Sequence, residues 1–169
     1  MKFIMLFLIV ALAVGCGPSV TVQQDWDPDY DFTDLGSYGW LPLRSTGNIG
    51  EMRLKRLVAA IDAEMAAKGM TLTVDEPDVL LVLHVVSEQR LDLDEYGYKA
   101  GWDKSTTASS DLDKGSIMLD VVDAESREMV WRAVAGGKVD PSASPEEQNK
   151  NFAKLAKKLF ETFPPPPGQ

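Results

Sequence analysis

Cysteine and histidine are almost absent from this chain, which has one of each among its 169 residues. A single cysteine cannot form an internal disulfide, so no disulfide framework holds the fold. Zinc sites need several cysteine and histidine ligands, and a nucleophilic cysteine needs a histidine base, so both kinds of site are disfavoured. We therefore predict no metal site and no cofactor.

Basic side chains are also in short supply, with 17 Lys and Arg against 26 Asp and Glu and a net charge of −9. Nucleic-acid binding depends on clustered basic groups that neutralise phosphates, and this chain has an excess of acids instead. The same balance gives no electrostatic attraction to anionic lipid. These numbers exclude nucleic acid as a predicted partner.

An uncharged stretch from Phe3 to Gly15 follows the positive Lys2. It is shorter than the roughly 20 apolar residues that a bilayer span needs, and it is typical of a signal peptide. The small Gly15 directly precedes Cys16, as at the processing site of bacterial lipoproteins. The pattern predicts a signal peptide at residues 1–15 and lipid attachment at Cys16, against the alternative of an ordinary secretory signal with an incidental cysteine.

Lipid on Cys16 would make the membrane the first predicted partner. Two or more acyl chains anchor a protein stably, whereas one chain anchors it only marginally. Gly17 follows the cysteine, where an aspartate would signal retention on the inner membrane of a diderm bacterium. We therefore predict a lipid-anchored protein of the bacterial cell envelope, on the inner leaflet of the outer membrane and facing the periplasm.

Two helices are predicted from apolar residues at helical spacing, over 51–68 and from 144 to about 162. Asn48 and Glu51 resemble a capping box at the start of the first helix, and Gly69 is typical of its end. Ser144, Pro145 and Glu147 predict a capped start for the second helix.

Alternating or continuous apolar residues predict strands at 37–41, 70–74, 79–86, 116–122 and 129–139, with a further strand near Val20 and Val22. A bulge or bend is expected at Gly136 and Gly137. The predicted fold is α+β: a two-layer sandwich with a mostly antiparallel sheet of five or six strands and two helices packed on one face. Its predicted boundaries are a lipidated tether at 16–24, a single domain at 25–163 and a Pro-rich tail at 164–169.

Five aspartates lie between Asp25 and Asp34, interleaved with aromatic residues. They suggest cation binding, but alternation alone favours an irregular segment whose aromatics pack inward and whose acids are solvated. His84 lies inside the most apolar predicted strand without a partner nearby in sequence. A histidine in that position is usually packed or hydrogen-bonded, and we predict no catalytic or metal role for it.

The long segment from Leu91 to Lys114 holds the candidate binding surface, Tyr96, Tyr98, Trp102 and Asp103. Exposed aromatics on a loop can stack on a sugar or a peptide, whereas aromatics at strand ends more often cover the sheet. The acids from Asp92 to Asp103 superficially match a calcium loop. The match is poor, because Tyr96 replaces an oxygen ligand and no amphipathic helices flank the loop.

An ordered series of short motifs resembles the bacterial lipoprotein family catalogued as domain of unknown function 4136. The motifs are Asp29-Tyr30-Asp31-Phe32-Thr33-Asp34, Ser37-Tyr38-Gly39-Trp40-Leu41-Pro42, Ala60-Ile61-Asp62-Ala63-Glu64-Met65-Ala66-Ala67-Lys68-Gly69, Glu76-Pro77-Asp78-Val79-Leu80, Tyr96-Gly97-Tyr98, Gly115-Ser116-Ile117-Met118-Leu119-Asp120-Val121-Val122-Asp123, Val130-Trp131-Arg132-Ala133 and Phe163-Pro164-Pro165. The resemblance implies an exported lipoprotein domain of mixed α and β structure over residues 20–166. It implies no established activity and no catalytic residues.

No nucleophile–base pair, phosphate loop or metal-ligand set is visible in the sequence, so we predict that the protein is not an enzyme. The favoured function is a non-catalytic binding or scaffold module with an envelope protein or a glycan as partner. The alternative is a carrier of a small molecule or lipid between the sheet and its helices. A hydrolase that uses Asp103 is the least favoured hypothesis.

Overall fold

The computed structural model describes residues 20–42, 49–86, 99–100, 116–136, 140 and 142–166. In these ranges the chain forms strands β1 (Thr21–Trp26), β2 (Ser37–Trp40), β3 (Thr71–Leu72), β4 (Val79–Val86), β5 (Lys99–Ala100), β6 (Ser116–Asp123) and β7 (Glu128–Gly136), with helices α1 (Glu51–Ala67) and α2 (Pro145–Leu159). No helix in them is long and apolar enough to cross a membrane.

One mixed sheet is built from six strands in the order β1-β7-β6-β4-β2-β3, and the two-residue β5 pairs with β7 beyond the end of β1. The ladders among β1, β7, β6 and β4 are antiparallel. The ladders of β2 with β4 and with β3 are parallel. Helix α1 connects β2 to β3, and a helical crossover of this kind returns the chain in the same direction. The predicted α+β fold with a mostly antiparallel sheet is confirmed.

Both helices pack on the same face of the sheet. Helix α1 buries Leu57, Ile61 and Met65, and α2 buries Phe152, Ala156 and Leu159. They form one core with alternate strand residues, among them Tyr38, Val79, Leu81, Leu83, Ile117, Leu119, Val121, Val130, Trp131 and Ala133. A smaller cluster of Leu80, Val82, Val122 and Met129 lies on the opposite face. The central strands are therefore buried on both faces, as the continuous apolar run of β4 suggests.

The capping box predicted for α2 is confirmed. The Ser144 hydroxyl accepts the Glu147 N–H at 3.3 Å, the Glu147 carboxylate accepts the Ser144 N–H at 2.9 Å, and Pro145 occupies the first turn. The box predicted for α1 was wrong. Its N-cap is Gly50, which has no side chain to accept a hydrogen bond, and Asn48 lies outside the described residues.

Helix α1 ends at Ala67, and the predicted Gly69 stop follows its C-cap Lys68 with a positive φ of 86°. The N–H of Gly69 donates to the carbonyl of Ala66, and the N–H of Met70 donates to the carbonyl of Met65. Glycine adopts this left-handed conformation without steric cost, so it can turn the chain from the helix into β3.

A β-bulge in β7 decides which of its side chains enter the core. Val121 of β6 pairs with Trp131 and Val122 pairs with Met129, so Val130 is the extra residue. Val130 and Trp131 consequently both pack in the core beneath the helices, and Arg132 lies on the opposite face. The bulge that the described residues contain therefore lies at Val130. Gly136 pairs regularly with Thr21 and Ser116, and Gly137 of the predicted bulge or bend lies outside the described residues.

Strand β1 begins at Thr21 and pairs with β7 along its whole length. Residues 21–24, which the predicted boundaries assigned to the tether, therefore belong to the sheet. At the other end of the chain, Phe163 and Pro165 are buried.

Candidate functional site

Three charged or titratable side chains meet on the sheet face opposite the helices. Arg132 donates from Nε to Oδ1 of Asp120 at 2.6 Å and from Nη2 to Oδ2 at 2.8 Å. His84 Nε2 lies 3.2 Å from the same Oδ2. The exposed fractions of His84, Asp120 and Arg132 are 1%, 0% and 4%. We call these three residues the buried charge cluster.

The electrostatics of the buried charge cluster centre on Asp120. Burial alone raises the pKa of its carboxyl group, but hydrogen bonds and attraction from Arg132 and His84 outweigh burial and lower the pKa to about 2. The carboxylate stays ionised and is held by a two-pronged guanidinium contact, which is the strong geometry for such pairs. The arrangement fixes β6 to its neighbours β4 and β7.

His84 confirms the prediction of a packed, hydrogen-bonded histidine, but sequence reasoning missed its partners. Asp120 and Arg132 are 36 and 48 positions away along the chain and are directly paired across β6 and β7. A signal for them exists in the sequence. Each of the three apolar strands β4, β6 and β7 has one titratable or charged residue in its interior, and such residues are rarely buried unless paired.

A second carboxylate joins α1 to β2. Oδ1 of Asp62 accepts the hydroxyl of Tyr38 at 2.8 Å and the indole N–H of Trp40 at 2.9 Å. Burial, followed by the hydrogen bond to Asp62, raises the pKa of Tyr38 above its ordinary value. Tyr38 therefore remains a neutral donor, and it fixes the helix above the strand.

Two further carboxylates hold loops at one end of the sheet. Oδ2 of Asp78 accepts the N–H groups of Gly36 and Ser37 and the Ser37 hydroxyl, at 2.7–3.0 Å. Asp123 accepts the hydroxyl of Tyr30 at 2.9 Å and the N–H of Ser126. Hydrogen bonds lower the pKa of Asp78, led by that from Ser37. Both carboxylates are therefore engaged in holding the backbone.

A groove of about 770 Å³ opens at this same end of the sheet. Its walls come from the end of β2, the β3–β4 connection and the β6–β7 turn, with Trp40, Leu41, Val74 and Leu80 as apolar lining. A second groove, of about 350 Å³, lies between residues 26–33 and the prolines from Pro164 to Pro166. Within the residues that the structure describes, no group of three or more His, Cys, Asp and Glu side chains is placed to hold a metal ion.

Gly39, in the wall of the larger groove, has little room for a side chain. A Cβ there would lie 3.1 Å from Pro77 Cγ, 3.2 Å from the Thr73 carbonyl oxygen and 3.3 Å from Leu80 Cδ2. We expect Gly39→Ala to lower the free energy of unfolding by about 1–3 kcal/mol, because overpacking forces the loop off the sheet. Urea denaturation measures this. Gly36→Ala is the control, since its Cβ has an ordinary contact at 3.9 Å, and an equal loss in both variants would contradict the packing explanation.

The acidic segment Asp25–Asp34 divides between strand and turn. Trp26 ends β1, Phe32 is buried in the core, and Asp31 is exposed and accepts hydrogen bonds from Thr33. Of the two interpretations of this segment, the structure agrees with the one in which the aromatic side chains pack inward and the carboxylates are solvated.

The residues predicted for the site itself lie outside the described part of the chain. They are Cys16, for lipid attachment, and the candidate binding surface Tyr96, Tyr98, Trp102 and Asp103. The buried charge cluster and the two grooves were found only in the structure.

Solved structures share this helix-on-sheet fold at low sequence identity. The PelC dodecamer from Paraburkholderia phytofirmans is 13% identical with a TM-score of 0.51, over 84% of this chain and 95% of that chain. A PDZ domain protein from Parabacteroides distasonis is 12% identical with a TM-score of 0.51, over 88% of this chain and 37% of that one. These similarities concern the fold alone. The comparison with curated proteins found no match.

The fold defines a compact α+β domain with two helices on a mixed sheet. The chain matches the family described as Domain of unknown function (DUF4136) over residues 22–165. It belongs to that family, as the ordered motifs predicted, and the match extends from β1 to the prolines after α2.

Proposed function

We propose that the protein is a lipid-anchored lipoprotein of the bacterial cell envelope whose domain serves as a non-catalytic scaffold or binding module. The non-catalytic role of the domain is supported by one observation: several of its polar side chains are hydrogen-bonded to other parts of the fold. In the described residues, the histidine and the carboxylates Asp62, Asp78 and Asp120 each hold two elements of the fold together. Groups committed to structure in this way favour binding over catalysis.

The anchor is proposed at Cys16, at the end of the predicted signal peptide. Four residues then separate Cys16 from Thr21, the first residue of β1. A sheet that begins so soon after the anchor would be held close to the membrane surface. We propose the inner leaflet of the outer membrane as its location, with the domain facing the periplasm.

Substitution of the cysteine tests the anchor. We expect Cys16→Ala to abolish incorporation of radiolabelled palmitate in cells and to release the protein from the membrane fraction, since the thiol is the attachment point. Membrane fractionation and labelling measure the two effects. Gly17→Ala serves as the matched control and should keep the label. Palmitate that persists in Cys16→Ala would disprove attachment at this residue.

An assembled scaffold is the form of this function that the fold supports best. PelC, which shares the fold, forms a dodecamer, and we propose that copies of this chain also associate. Static light scattering of the full-length protein in detergent, with the detergent mass subtracted, tests association. A particle with the mass of one chain would exclude it.

A binding partner is proposed for the segment that carries Tyr96, Tyr98, Trp102 and Asp103, with an envelope protein or a glycan as its ligand. In-cell crosslinking from position 102 and identification of the captured molecule would test it. Binding that survives Trp102→Ala would remove this segment from the mechanism. The carrier alternative requires space between the layers, whereas the described side chains there form one continuous core, so a ligand would have to bind in the outer grooves.

A further inference from the structure

The sheet ends in two edges that no other strand covers in the described part of the chain. One is β1 and the other is β3, at the two ends of the strand order. An uncovered edge presents backbone N–H and C=O groups that can pair with a strand of another chain. The backbone hydrogen bonds of each edge strand show which of its residues direct their N–H and C=O groups away from the sheet.

At the β1 edge, the outward groups belong to Val22 and Gln24. The N–H of Asp27 donates to the carbonyl of Val130 in β7 at 2.9 Å. Because backbone groups alternate in direction along a strand, the odd-numbered residues of β1 point to β7 and the even-numbered ones point away. The ends of this edge are closed, since Lys158 binds the carbonyl of Val20 and the carboxylate of Asp25 binds the N–H of Trp26.

At the β3 edge, the outward groups belong to Leu72, and Val74 lies in the bend that follows. The N–H of Thr71 donates to the carbonyl of Gly36, directly before β2, and the N–H of Thr73 donates to the carbonyl of Tyr38 in β2, at 2.9 Å each. The backbone groups of Leu72, between them, therefore point away from the sheet. The side chains of Leu72 and Val74 are unusually open for apolar residues, with exposed fractions of 51% for Leu72 and 93% for Val74.

The two edges are complementary in charge. β1 offers two outward residues and β3 offers one, and neither stretch contains the lysine or proline with which proteins commonly block an edge. Exposed Lys158 of α2 binds the carbonyl of Val20 directly before β1, whereas exposed Asp75 and Glu76 follow β3. Opposite charges would therefore meet when the β1 edge pairs antiparallel with the β3 edge.

We propose that copies of this chain join head to tail, with the β1 edge of one copy paired to the β3 edge of the next. The interface rests on the proposed scaffold function and names its partner, a second copy of the same chain. A head-to-tail contact generates a closed ring or an open filament. With every copy anchored through Cys16 to one membrane, a closed ring is the form in which all anchors reach the same surface.

Crosslinking of the full-length protein in cells tests this pairing. Gln23 of β1 and Thr71 of β3 are both exposed, and both lie on the sheet face opposite the helices, because each is next to a residue that packs in or against the core. We expect the double variant Gln23→Cys/Thr71→Cys, treated with a short bismaleimide, to form a ladder of dimers, trimers and larger species. Each single variant should remain monomeric.

Four other results would overturn the pairing. Dimers from a single-cysteine variant would indicate that identical edges meet, and a single adduct with a different protein would indicate another partner. Absence of crosslinks in the double variant would exclude the contact. The control Gln23→Cys/Met52→Cys places the second thiol at an exposed residue at the far end of α1, and a ladder from it would also contradict a specific interface.

A charge at the edge supplies an independent test. Val74→Lys changes a side chain that is almost fully exposed, so the melting temperature should not change. We expect it to reduce the crosslinked fraction about tenfold, because a lysine at a sheet edge opposes pairing; an unchanged ladder would contradict the proposal. Palmitate labelling of the same samples separates the two hypotheses: labelled protein without a ladder refutes the interface alone, and unlabelled protein refutes the anchor.

Discussion

Asp120→Ala should lower the free energy of unfolding by about 3–5 kcal/mol, because it removes the acidic partner from the buried charge cluster and breaks two charge-assisted hydrogen bonds of the buried Arg132 guanidinium. Arg132 is 4% exposed and makes two hydrogen bonds to this carboxylate. Urea denaturation followed by circular dichroism measures the loss. Asp29→Ala, at an exposed aspartate, is the matched control and should change stability by less than about 0.5 kcal/mol.

A triple variant distinguishes the stability lost when one partner is removed from the net contribution of the whole buried charge cluster to the free energy of unfolding. Replacement of a whole buried ion cluster by apolar residues of similar size is often neutral or stabilising. We therefore expect His84→Leu/Asp120→Leu/Arg132→Met to lose less stability than Asp120→Ala. A loss below about 1 kcal/mol in Asp120→Ala would show that water or other protein contacts compensate the guanidinium, and it would contradict the predicted cost.

The Asp120 carboxylate also makes the stability of the fold decrease at acidic pH. The folded-state pKa of Asp120, about 2, lies below its ordinary value of 3.8. The unfolded chain therefore takes up this proton first as the pH falls, so the stabilisation is complete above the ordinary value and is lost as the pH approaches 2. The urea midpoint should fall between about pH 4 and pH 2, and less steeply in Asp120→Ala. Parallel slopes would assign the acid sensitivity to the other aspartates with lowered pKa, such as Asp31 and Asp78.

The second large effect is expected at Trp131, which is fully buried beneath α2. Its indole stacks on Phe160 with centroids 5.6 Å apart and meets Phe163 edge-on at 5.3 Å. Trp131→Ala should cost about 3–5 kcal/mol, since it removes these contacts and leaves a cavity that a packed core cannot close. Thermal and urea unfolding of the purified protein measure the loss.

Trp131→Phe is the matched control for this prediction. The indole N–H is buried and has no hydrogen-bond partner among the described residues, and an unsatisfied buried donor is itself unfavourable. Phenylalanine keeps most of the ring contacts and removes that donor, so the loss should stay below about 1.5 kcal/mol. Equal losses in the two variants would show that the indole N–H stabilises the fold through a contact that the described residues do not contain.

Much of the fold follows from local sequence. The apolar run of β4, the spacing of Leu57, Ile61 and Met65, and the Ser144 capping box each depend on residues within a few positions of one another. Periodicity and capping chemistry are local properties, so they can be read without the tertiary structure. Family membership could also be predicted, because it depends on ordered motifs along the chain.

Other features could not be predicted, because they depend on residues far apart in sequence. The bulge at Val130 is decided by the register between β6 and β7, and it sends Trp131 to the core and Arg132 to the other face. The Gly136–Gly137 pair offered a local signal for a bulge or bend, whereas the bulge at Val130 depends on cross-strand pairing. The capping box at Asn48 failed for a similar reason, because the chain enters α1 two residues later, at Gly50.

The sequence by itself determined the predicted anchor at Cys16, the acidic balance behind the prediction of no nucleic-acid partner, and the elements of an α+β domain, since charge, apolar run length and periodicity are properties of neighbouring residues. Only the tertiary structure decided that His84, Asp120 and Arg132 form one cluster, and that β1 and β3 are the end strands of the sheet. The physical reason is the strand order: pairing brings residues 36 and 48 positions from His84 into hydrogen-bonding range, and it leaves only the first and last strands of that order with an uncovered side in the described part of the chain.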